Sequence, residues 1–112
     1  MAFDESLTLR LRAALGNGPN LSEKRMMGGV CFFLHGNMVC GADRSKQGER
    51  RFMFRVGKGN EAAVTLPEGV PMVLGDRPMS GFYFVDGDRC DDDLLQRWLE
   101  LALAHARSLP PK

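Results

Sequence analysis

The chain has 112 residues, of which 44% are hydrophobic and 26% charged, with a net charge of +1. A chain of this size buries about two-thirds of its surface on folding, enough for one core without disulfides, and the composition excludes a disordered polymer. No apolar run approaches the ~18 to 20 residues that span a membrane, and the near-neutral charge excludes bulk electrostatic binding to nucleic acid.

Asp4 is placed to cap an amphipathic helix over residues 4–15, whose Leu7, Leu11 and Leu15 recur at helical spacing, with Ala14 beside them. Gly16-Asn17-Gly18-Pro19 stops it. From Ser22 to Val56 the period changes to two, interrupted by Gly28-Gly29, which predicts a bend or bulge. Strands are expected over 30–34 and 38–42, around a His35-Gly36-Asn37 turn, and over 50–56. A short helix over 60–66 ends at Pro67, and two further strands, 71–74 and 81–85, flank Gly75-Asp76-Arg77-Pro78. The last helix runs from about Asp92 to Ser108, capped by Asp91, with Leu95, Trp98, Leu99, Ala102, Ala106 and Leu109 as its apolar stripe. Antiparallel hairpins with helices at the chain ends predict a two-layer α+β fold, with about five strands and both long helices on one face. The whole of 1–112 is read as one domain.

The start, Met1-Ala2-Phe3-Asp4-Glu5, carries neither a basic leader nor an apolar segment. The three cysteines are an odd set without Cys-x-x-Cys, so a cytoplasmic protein with reduced thiols is expected.

Patterns that carry chemistry mostly fail on their own requirements. Gly57-Lys58-Gly59-Asn60-Glu61-Ala62 fits Gly-x-Gly-x-x-Ala, but the helix it opens is barely two turns long. Counted from Asp86, a calcium loop would need Gly at the position Asp91 holds and Glu at the position of Arg97. Cys31, His35 and Cys40 are the one soft-ligand cluster. With Gly36-Asn37 as the turn they share a sheet face, yet zinc lacks a fourth ligand and the two thiols are diagonal neighbours that do not cross-link. No serine lies in a Gly-x-Ser-x-Gly context, and neither His35 nor His105 has a carboxylate orienter in sequence. No cofactor or metal is expected.

Charge is distributed unevenly. Between residues 44 and 58 six cations face Glu49 alone, a net +5, while 86–93 hold five aspartates against Arg89, a net −4. Arg50, Arg51, Arg55 and Lys58 are therefore candidates for binding an acidic protein or a phosphate backbone, the plain alternative being a solvated strand face.

Ser22-Glu23-Lys24-Arg25-Met26-Met27-Gly28-Gly29, followed by Phe32-Phe33-Leu34 and Gly36-Asn37-Met38, resembles the TfoX N-terminal domain family. Gly75-Asp76-Arg77-Pro78-Met79, Gly81 and the closing Ala106-Arg107-Ser108-Leu109-Pro110 extend the resemblance over nearly the whole chain. Met27 stands where the family often has an aromatic, a mild departure because both fill apolar space. The resemblance implies a small α+β fold similar to secretion chaperones and supplies no catalytic residues. In competence regulators of this type a C-terminal helical domain follows; it is not expected here, so the competence role does not carry over.

A non-enzymatic regulatory or protein-interaction module is the reading these observations favour. The alternatives are a small-molecule-binding or enzymatic domain using the Gly57–Ala62 turn or the Arg77 loop, or a weak DNA-binding accessory protein. Alternation places Val30, Phe32, Leu34, Val39, Phe52, Phe54 and Val56 on one face. The opposite face takes Cys31, Phe33, His35, Met38, Cys40 and Met53, too apolar a set to stand in water. A homodimer across Phe33, His35, Met38 and Met53 is predicted, with partial cover by the 60–66 helix as the simpler alternative.

Overall fold

The computed structural model describes residues 4–26 and 28–112; Met27 and the first three residues lie outside the described residues. The elements run α1 (Glu5–Leu15), β1 (Leu21–Met26), β2 (Gly29–Leu34), β3 (Asn37–Arg44), β4 (Arg50–Arg55), α2 (Glu61–Thr65), β5 (Gly69–Leu74), β6 (Arg77–Asp86) and α3 (Asp92–Ser108). All six strands form one antiparallel sheet, in the order β1-β2-β3-β4-β6-β5. The two-layer α+β expectation holds, with one strand more than the expected five.

The additional strand is β1. Its sequence, Leu21-Ser22-Glu23-Lys24-Arg25-Met26, has four polar residues at its centre, all exposed, so hydrophobic alternation cannot announce it. It pairs with β2 from Leu21↔Leu34 to Met26↔Gly29, so Gly28 (φ 77°) belongs to a hairpin turn rather than to a bulge.

Each helix is started by an identifiable side chain. The Asp4 carboxylate accepts from the Leu7 amide (2.9 Å), Asn60 caps α2, and Asp91 accepts from the Leu94 amide (2.8 Å). Leu7 and Leu11 of α1 join Leu94, Leu95, Trp98, Leu99, Ala102 and Ala106 of α3 in one core with Val30, Phe32, Val39, Phe52, Phe54 and Val85 of the sheet. Thr8, not Ala14, completes the buried stripe of α1, its hydroxyl satisfied by the Asp4 carbonyl at 2.7 Å. Trp98 anchors this layer. Its ring stacks on Phe54 (centroids 5.6 Å apart), leans on Tyr83 (5.4 Å), and its indole donates to the Pro67 carbonyl at 3.3 Å.

The β2–β3 register departs from the sequence expectation. The turn is His35-Gly36, both with positive φ (52° and 81°), which pairs Leu34 with Asn37 and Phe33 with Met38. A bulge then inserts Val39, so that Phe32 pairs with Cys40. The bulge turns Cys40 into the helix-side core while Cys31 stays on the other face. Cys31, His35 and Cys40 therefore do not share a face, and both thiols are free.

Candidate functional site

The second face of the sheet can be read row by row from the strand pairing. The middle row runs Lys24, Cys31, Gly41, Met53 and Phe84; towards the β2–β3 turn Ser22 pairs with Phe33 and Phe33 with Met38, and Arg55 of β4 pairs with Phe82. Gly41 contributes no side chain, and it sits tightly. A Cβ there would lie 2.9 Å from the Val30 carbonyl oxygen and 3.0 Å from the Cys31 sulfur. A hollow lies beside it, lined by Cys31, Gly41 and Met53.

The β5–β6 hairpin roofs that hollow. Pairing of β6 with β4 reaches Arg55↔Phe82, and beyond it β6 continues with β5 alone to a Gly75-Asp76 turn. Gly81 sits at the departure point with φ 86°, its carbonyl accepting from the amides of Val56 and Gly57. A Cβ on Gly81 would stand 2.8 Å from the Gly57 carbonyl carbon, so glycine is required there. Met72 and Leu74 from the hairpin then line a cavity of about 150 Å³ together with Met26, Cys31, Met53 and Phe84. Cys31 (4% exposed), Met53 (7%) and Met72 (2%) are buried within the single chain. Part of the cover expected of a second copy is thus supplied by the chain itself. No residue of the short helix lines this cavity, and Ala63 of α2 packs into the helix-side core.

What remains uncovered is the rim. Met26, Phe33, Met38, Met79, Phe82 and Phe84 pack against the buried trio while staying partly exposed. Of the expected dimer residues, Phe33 and Met38 lie on this rim, Met53 is inside, and His35 sits in the turn, where its amide donates to Asn20 and its carbonyl accepts from Lys112. The Cys31 thiol is pushed up to about 11, first by burial and then by the nearby Asp43 carboxylate, so it is no nucleophile at neutral pH.

The candidate cations are separated by the structure. Arg50 turns to the helix side, donating to Asp4 at 2.9 Å, to Ser6 at 2.9 Å and to Asp88. Arg51 lies on the second face, held by Asp43 through two bonds of 3.0 and 2.8 Å and resting 3.9 Å above the Phe84 ring. Arg55 is 5.8 Å from the Phe82 centroid, and Lys58 stands exposed after β4. The acidic stretch is similarly engaged: Asp91 caps α3, Asp92 pairs with Arg10 and Asp93 with Arg97.

The Gly57–Ala62 segment opens a helix of five residues, and the Asn60 side chain already accepts from the Ala63 amide and donates to Val56. The His105 ring packs against Gly57, with its pKa lowered by burial and by the Arg55 charge. A groove of about 470 Å³ runs between this segment and the hairpin, past Val64, Val73 and Tyr83, while Arg77 points to solvent. Among the described residues no group of three His, Cys, Asp or Glu side chains is arranged to hold a metal, and no helix is long and apolar enough to cross a membrane.

These features define a class: a small antiparallel sheet with two long helices on one side and a methionine- and phenylalanine-rich opposite face. Residues 13–106 match the TfoX N-terminal domain, and the chain belongs to that family. No curated protein and no solved structure matches it.

Proposed function

We propose that this protein is a non-enzymatic interaction module whose working surface is the rim of the second sheet face, and that the surface pairs with a second copy of the chain. One observation carries the reading. Phe33, Met38, Met79 and Phe82 remain partly exposed after the hairpin has closed the centre of the face. Large apolar side chains left in water forgo about 1.5 to 3 kcal/mol each when fully exposed, and unbranched methionines repack readily against a partner. A two-fold arrangement presents the same rim twice and needs no charge pairing across it.

Sedimentation at roughly tens of micromolar tests the proposal. The expected result is a dimer that Phe33→Glu or Met38→Glu converts to a folded monomer, since pairing would take a charged carboxylate out of water into an apolar contact. A wild-type monomer at that concentration contradicts it. The phosphate-backbone alternative finds less support, because Arg50 and Arg51 already hold Asp4, Asp88 and Asp43.

A further inference from the structure

We infer that the tail after α3, Pro110-Pro111-Lys112, is a latch that holds the β2–β3 hairpin in its bulged register and so keeps Met38 on the rim of the second face. The register is independent of the dimer reading; only its consequence for self-association rests on that reading.

The tail returns onto the β2–β3 turn. The Lys112 amide donates to the His35 carbonyl at 2.8 Å, and the Asn37 side-chain amide donates to the Pro110 carbonyl at 3.0 Å. Asn37 is only 1% exposed, so its bond to the tail gives a partner to a polar group that has left water. Lys112 also lies against Gly36, where an added Cβ would meet the Lys112 Cβ at 2.9 Å. The other bond of His35, from its amide to Asn20, continues the β1–β2 ladder and is indifferent to the position of β3.

The strands themselves allow a second register. Below the bulge they pair Val30↔Ala42, Cys31↔Gly41 and Phe32↔Cys40. Carried on unchanged, this pairing would set Phe33 against Val39 and Leu34 against Met38, and close through His35-Gly36-Asn37 as a three-residue loop. Asn37 would then stand in the loop, where asparagine tolerates the left-handed backbone such loops use. The structure instead places a bulge at Val39 and a two-residue turn with His35 at φ 52°. Turns of that kind favour Asn-Gly, Asp-Gly or Gly-Gly, so His-Gly is a weak local signal for it. The tail supplies the missing preference, because it grips His35 and Asn37 from outside the hairpin.

The two registers present different rims. In the bulged one Met38 pairs with Phe33 and packs against the second face, while Val39 and Cys40 fill the helix-side core. In the continuous one Met38 would stand opposite Leu34, which packs against the helix-side core, and Val39 would take the place beside Phe33. Two apolar side chains exchange faces, and no polar side chain is drawn into the core by the exchange. Loss of the tail therefore replaces a flexible thioether on the rim with a stiff, smaller side chain.

The test uses dilute protein, so that it decides the latch whether or not wild type dimerises. Lys112→Pro removes the N–H that His35 accepts, Lys112→Ala keeps it, and a chain ending at Leu109 loses both tail bonds. Amide hydrogen exchange next to the β2–β3 turn should be about 10-fold faster in Lys112→Pro than in Lys112→Ala, with the Phe54 amide unchanged as the core reference. In the chain ending at Leu109, cross-strand NMR contacts of Phe33 should move from Met38 to Val39. Equal exchange in the two Lys112 variants, or a shortened chain that keeps Phe33 against Met38, would overturn the inference. The Lys112 pair alters one terminal residue, so it decides the matter even where the shortened chain fails to fold.

Discussion

The two faces of this sheet come from the same strands by alternation, but they are closed by different means. On the helix side, Phe52, Phe54 and Trp98 are fully buried under two capped helices. On the other side, the cover is a hairpin tip, the filling is methionine, and a cavity remains. Rigid aromatics with few rotamers specify one packing; flexible thioethers fill irregular space and tolerate change. Stability is thereby concentrated on one face and adaptability on the other.

The contrast can be broken most strongly at Trp98. Replacing it with alanine should cost about 3 to 5 kcal/mol in denaturant unfolding, because the ring fills the space between Phe54, Tyr83 and Gly69. A loss below about 1 kcal/mol would mean that the helix side is not the closely packed one. Gly69→Ala approaches the same ring from the strand. Its Cβ would stand 2.5 Å from the Trp98 ring, and overpacking of this kind costs about 1 to 3 kcal/mol.

A pH titration sharpens the comparison at the margin of the helix face. Burial pushes the Asp4 carboxyl up, but Arg50, the Leu7 amide and Arg44 outweigh it and hold the group at about 2. An unfolded aspartate titrates near about 3.9, so the folded pKa is the lower one. The stabilisation is therefore complete above that value and is lost as pH falls towards 2, a loss of about 2 kcal/mol. In Asp4→Asn that acid-dependent part should vanish, and an unchanged acid limb would assign it to other carboxylates.

On the second face the expected effects on stability are smaller. Met53→Leu should cost less than about 1.5 kcal/mol, since volume is conserved and the cavity accommodates the change of shape. A larger loss would show that this side is packed as specifically as the other.

Much of the fold was legible because the helix-side residues announce themselves. Leu7 and Leu11, the α3 stripe, and Phe52, Phe54 and Val56 repeat at the spacing of their elements. What was not legible came from turns and edges. His35 adopts positive φ in place of Asn37, and the Val39 bulge moves Cys40 across the sheet; neither leaves a hydrophobic period to read. The polar strand β1 hides for the same reason. At the candidate site, alternation singled out Phe33, Met38 and Met53, but nothing local tells Met72 that it will fold over them. That depends on the bend at Gly81, a glycine whose role appears only when β6 leaves β4. In the basic run at 44–58 the sequence shows the cations but not their partners: Asp4, Asp43 and Asp88 reach Arg44, Arg50 and Arg51 from elsewhere in the chain or across the sheet.

The most direct test of the proposed interaction surface is methionine oxidation mapped by mass spectrometry over a range of protein concentrations. Buried Met53 and Met72 should oxidise slowly at every concentration. Met38 and Met79, on the rim, should oxidise quickly in dilute solution and become protected as the protein is concentrated into dimers. Rates for Met38 and Met79 that stay the same from dilute to concentrated protein would contradict the account.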